Sequence, residues 1–91
     1  MNADKAREIA SENARELAKM QFGEVNSEVK KSIKEAANKG LYETRIEIFS
    51  NSQLVKSGLI DDLIECISNK GFGVERTNLL GIVRLRVYWN N

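Results

Sequence analysis

The final stretch, Ile82-Val83-Arg84-Leu85-Arg86-Val87-Tyr88-Trp89, alternates residue by residue. Val83, Leu85, Val87 and Trp89 fall on one side, and Arg84, Arg86 and Tyr88 on the other. A period of two marks a strand with one buried and one wetted face. The pattern therefore predicts the single Trp in the core and two Arg and a Tyr on an open sheet surface. Leu41 to Phe49 alternates in the same way, with Tyr42, Thr44, Ile46 and Ile48 inward and Glu43, Arg45 and Glu47 outward. Phe72 to Thr77 reads as a short strand with Phe72 and Val74 inward. Asn78-Leu79-Leu80-Gly81 turns it into the last strand as a β-hairpin.

The remaining segments carry the helical period. Residues 3 to about 21 lack Gly and Pro and are rich in strong helix formers, with Asn2 as N-cap. Ala3, Ala6, Ile9, Ala10, Leu17 and Met20 form a stripe, with Ala14 and Ala18 at its border. Small residues at spacings of four let a partner helix approach closely, which makes Ala6, Ala10, Ala14 and Leu17 a candidate oligomerisation seam; Ala as a simple helix former explains the stripe equally well. Phe22-Gly23 interrupts. A second helical face, Val29, Ile33, Ala36 and Ala37, runs to the stop signal Asn38-Lys39-Gly40. Gly23 either separates two helices or lies inside a single long one. After Ser50-Asn51-Ser52, Leu54 to Ser68 predicts a helix, with Leu59, Ile60, Leu63, Ile64 and Ile67 as its apolar stripe. Asn69-Lys70-Gly71 stops it as the previous one was stopped.

The element order is helix, helix, strand, helix, strand, strand. The richest strand, 82–89, belongs in the centre, antiparallel to both others. This gives an α+β fold: a three-stranded split β-α-β sheet of order 1-3-2, helices on one face, and an N-terminal helix available for assembly. Ninety-one residues make one domain, with 1–25 as a possible assembly arm and 26–91 as the α/β core.

Composition removes several function classes. Fourteen Lys and Arg against thirteen Asp and Glu leave a net charge of +1, without the basic excess that nucleic-acid binding calls for. No apolar run approaches the ~20 residues of a membrane span. One cysteine excludes an internal disulfide and fits a reducing cytoplasm. The chain has no histidine, which removes the commonest general base and the commonest metal ligand together. Cys66 shares a helical face with Leu59 and reads as a small core residue. Asp61, Asp62 and Glu65 read as a solvated helix face near the positive end of the dipole, with no metal and no cofactor implied. Gly71-Phe72-Gly73 follows a helix and precedes a strand, the wrong context for a dinucleotide fingerprint. No catalytic constellation can be assembled from these residues, and the expectation is a protein that is not an enzyme.

One cluster carries binding chemistry: Arg84, Arg86 and Tyr88 on the central strand, with Arg45 beside them. Arg forks match phosphate and carboxylate, and Tyr stacks on planar groups. The same positions also fit a lattice of ion pairs from Glu43 and Glu47 to Arg84 and Arg86, or a face covered by a protein partner.

The lysine-rich helix Val29 to Gly40, the strand Tyr42 to Ile48, the run Leu63 to Val74 ending a helix at Lys-Gly-aromatic, and the closing Val87-Tyr88-Trp89 together resemble small phage-encoded α/β proteins of Gram-positive hosts. The resemblance spans about two-thirds of the chain, and its motifs are structural punctuation. It implies a phage accessory role, among structural accessories and small oligomeric binders that disable host defences, in the host cytoplasm. The expectation is thus a homo-oligomer that binds a viral or host protein. The alternative is a sponge that sequesters a small anionic or nucleotide ligand.

Overall fold

The computed structural model describes residues 1–90. Its elements are α1 (Ala3–Asn38), β1 (Glu43–Phe49), α2 (Gln53–Lys56), α3 (Leu59–Ser68), β2 (Gly73–Leu79) and β3 (Ile82–Tyr88). The fold is α+β, with a fully antiparallel sheet of order β1-β3-β2 and its helices packed on the sheet, as the alternation predicts.

The choice left open at Gly23 resolves to a single helix, α1. Gly23 sits inside α1, exposed and without a neighbour that a Cβ would meet. A mid-helix Gly costs only about 1 kcal/mol. Apolar anchoring on both sides of it, by Ala18, Phe22, Val25 and Val29, outweighs that. Asn2 caps the start by accepting the Lys5 N–H at 2.9 Å. At the other end Gly40 takes a positive φ of 78°, its N–H donates to the Ala37 carbonyl, and the Leu41 N–H reaches back to that of Ala36. These two bonds form a Schellman closure.

Thirty-six residues at 1.5 Å each give a helix of about 54 Å, and the molecule is 56 Å long but only 24 × 19 Å across. Docking begins at fully buried Ala18, inside the segment 1–25 read as an assembly arm. Residues 3–13 are all exposed and project beyond the core. Two i,i+3 ion pairs, Lys5–Glu8 and Arg7–Asp4, line the outlying part, and a third, Lys19–Glu16, sits where docking begins. Propagating a docked helix needs no new nucleation, so modest local pairs suffice to extend it.

The helix expected over 54–68 is broken in two. Gly58, at φ 83°, ends the α-helical path between α2 and α3. The kink lets Leu54, from α2, and Ile60, Leu63 and Ile67, from α3, all reach the same core. The first-turn N–H of Leu54 donates to the Gln21 Oε1 at 2.9 Å, tying α2 to α1.

Ile46, Ile48, Val83, Leu85 and Val87 line the inner sheet face as expected. Three details differ. β2 runs to Leu79, so the hairpin closes through Leu80-Gly81 alone. Tyr42 precedes β1 and is exposed. Trp89 lies past the end of β3 and is only partly buried. Its N–H donates to the Tyr42 carbonyl at 3.0 Å, and its ring stands edge-on to Phe72, with centroids 6.0 Å apart. The reason is register: Glu43 and Gly73, the first residues of β1 and β2, both pair with Tyr88, so Trp89 lies one residue beyond both neighbouring strands.

Candidate functional site

Parity and register build the open face of the sheet. Outward residues line up in rows across the three strands: Glu43–Tyr88–Gly73, Arg45–Arg86–Glu75, Glu47–Arg84–Thr77 and Phe49–Ile82–Leu79. Arg84, Arg86, Tyr88 and Arg45 thus do share one surface. Three arginines and three glutamates alternate on it.

Most of that charge is internally paired. Arg86 donates through Nε to Glu43 and through its terminal nitrogen lies 3.2 Å from Glu75, bridging both outer strands from the central one. Arg84 reaches Glu47 at 3.2 Å. The hydrogen bond from Arg86 holds the Glu43 carboxyl below its ordinary range, against some desolvation, and the charges of Arg86 and Arg45 act in the same direction. The reciprocal bond raises the already high pKa of Arg86. The Arg86 guanidinium also lies 4.6 Å from the Tyr88 ring centroid, a cation–π distance. The Tyr88 ring rests on the bare backbone of Gly73, where a Cβ would overlap it. Two cationic groups stand apart: among the described residues Arg45 makes no ion pair, and the buried Nε of Arg84 meets no acceptor.

The fourth row is apolar, which the sequence reading missed. Phe49 is 71% exposed, Leu79 41% and the hairpin-tip Leu80 103%. The signal was present, since Phe49 falls on the charged side of its strand's alternation and two leucines occupy a turn.

The predicted seam residues all lie on α1. Ala6 and Ala10 are on its projecting half, Ala14 is half-buried, and Leu17 is 43% exposed. Cys66 is partly exposed rather than a core residue. Asp61 pairs with Arg76 of β2 at 3.1 Å.

A hollow of about 290 Å³ lies beside Tyr42, Glu43 and Arg86, and a groove of about 170 Å³ runs between Gln21 and Glu24 of α1 and Glu47 to Phe49 of β1. The first sits at the lower edge of the ~300–1,000 Å³ usual for small-molecule pockets and the second below it. Among the described residues no cluster of three metal-ligating side chains occurs, and no helix is long and apolar enough to cross a membrane. No family model, curated protein or solved structure matches the chain.

Proposed function

We propose that this chain is a non-enzymatic binding protein that self-associates and acts by contact with other protein chains. The observation that carries the reading is the set of large apolar side chains left outside the core. Ile9, Leu17 and Met20 lie along α1, and Phe49, Leu79 and Leu80 gather at one end of the sheet. Clustered exposed apolar surface marks interaction sites, and short chains often gain stability by oligomerising. The resemblance to small phage-encoded proteins supports an accessory role, with a viral or host protein as partner.

A second reading, capture of a small anion, is favoured by Arg45 and the Nε of Arg84, which among the described residues have no ion-pair partner and no acceptor respectively. Against it, Arg86 already serves two glutamates and Arg84 one, so an anion would displace existing pairs.

Native mass spectrometry beside a denatured sample separates the two. The expected spectrum is a multiple of the chain mass without adduct. A small-molecule adduct, lost on denaturation, would transfer the case to the anion reading. A bare monomer at every concentration would contradict self-association.

A further inference from the structure

Self-association needs a surface, and the two edges of the sheet differ as candidates. An antiparallel ladder bonds alternate residues to its neighbour and turns the others outward. The Trp89 N–H to Tyr42 carbonyl and Ser50 N–H to Gly81 carbonyl bonds fix the phase: the even-numbered residues of β1 bond to β3. The backbone groups of Glu43, Arg45 and Glu47 therefore face the free edge. Among the described residues, no further backbone or side-chain bond reaches the N–H or C=O groups of these three.

By the same phase β2 presents Val74, Arg76 and Asn78 at its own free edge, but that edge is defended. Arg76 falls on the helix-side face, in register with fully buried Leu85, and stays exposed at its rim, where it reaches Asp61 on α3 and Asn78 on its own strand. An inward-pointing charge on an edge strand is a recognised block against edge-to-edge pairing. The inward residues of β1 are Thr44, Ile46 and Ile48, and it carries neither Pro nor an inward charge.

We infer that the open edge of β1 pairs antiparallel with β1 of a second copy, joining two three-stranded sheets into one of six strands. This rests on the self-association proposed above and names its surface. Charge complementarity selects the occupant, and overlap then selects the register: centring on Thr44 also opposes Arg45 to Glu43 but overlaps only residues 43–45 of the strand. Only two-fold pairings centred on a residue bring outward-turned backbone groups into line. Centring on Arg45 would oppose Arg45 to itself and Glu43 to Glu47, like against like. Centring on Ile46, the midpoint of the seven-residue strand, overlaps the whole of β1 and sets Arg45 opposite Glu47 twice. Arg45, which makes no ion pair among the described residues, gains one. The outward pattern Glu-Arg-Glu is thus complementary to itself when offset by two residues.

The test is dimer dissociation measured by analytical ultracentrifugation on the full chain, with circular dichroism to check folding. Arg45→Pro removes an N–H that β3 does not use, and Pro is tolerated on an edge strand; it is expected to yield folded monomer. Arg45→Glu leaves the backbone intact and is expected to raise the dissociation constant at least ~tenfold by turning two attractions into repulsions. Arg45→Glu with Glu47→Arg exchanges the two charges, which restores both 45–47 attractions in the Ile46-centred register and leaves acid opposite acid in the Thr44-centred one, and it is expected to recover much of the loss. If wild type is oligomeric and folded Arg45→Pro and Arg45→Glu stay equally so, the β1 edge is overturned while self-association stands. If wild type is monomeric throughout, both fall.

Discussion

β1 and β2 are both seven-residue strands, both antiparallel to β3, and both edges of the same sheet, yet they meet solvent on opposite terms. β2 turns Arg76 inward to Asp61, lays Gly73 beneath Tyr88, and leaves most of its length exposed on both sides. β1 buries Ile46 and Ile48 under the helices and keeps its outward charges in a pattern that a second copy can answer. The contrast shows that a short sheet need not treat its two edges alike. One is held against pairing by an inward charge; the other is poised for it.

The largest expected effect comes from the strand both edges share. Leu85 is fully buried between them. Leu85→Ala is expected to destabilise the protein by about 2–5 kcal/mol in urea unfolding, loosening both edges together. Next comes a change confined to the β2 side. Gly73→Ala forces a methyl group into the Tyr88 ring and is expected to lose about 1–3 kcal/mol. Adding Tyr88→Ala should recover part of that loss, so a double-mutant cycle should show strong coupling; additive losses would mean the ring does not hold its place over Gly73.

A smaller effect on stability, but a visible one on association, is expected of Arg76→Val. It removes the inward charge and should make β2 a second pairing edge, seen as higher-order species by ultracentrifugation. An unchanged distribution would show that Arg76 does not guard this edge.

The smallest effect concerns pH on the β1 side. Arg86 holds the Glu43 carboxyl below the ordinary value of 4.5. The folded pKa lies below the unfolded one, so the pair's contribution is present above about pH 4.5 and fades as pH falls through the folded value. Glu43→Gln should flatten that part of the stability–pH profile. An unchanged slope would assign it to other carboxylates.

Much of this was legible in the chain. The strict alternation of Val83 to Val87 against Arg84 to Tyr88 placed β3 at the centre and so set the strand order. Asn38-Lys39-Gly40 and Asn69-Lys70-Gly71 ended helices where expected because Gly at positive φ releases the chain from the helix. Where the reading departed, local signals met tertiary packing. Gly23 left one helix or two open and is carried through by anchors on both sides, whereas Gly58 breaks the helix expected over 54–68, and Leu54 and Ile60 both turn to the core. The outward positions of Arg45, Arg84, Arg86 and Tyr88 were legible from parity. Their partners were not, because ion pairing depends on cross-strand register. The bare edge of β1 was equally hidden, since which backbone groups face outward follows only from the phase of the ladder.

Amide hydrogen exchange, followed residue by residue at low and high protein concentration, tests the central claim most directly. The amides of Glu43, Arg45 and Glu47 should gain protection as concentration rises, while those of Val74, Arg76 and Asn78 stay fast. Equal exchange at both edges at every concentration would contradict it.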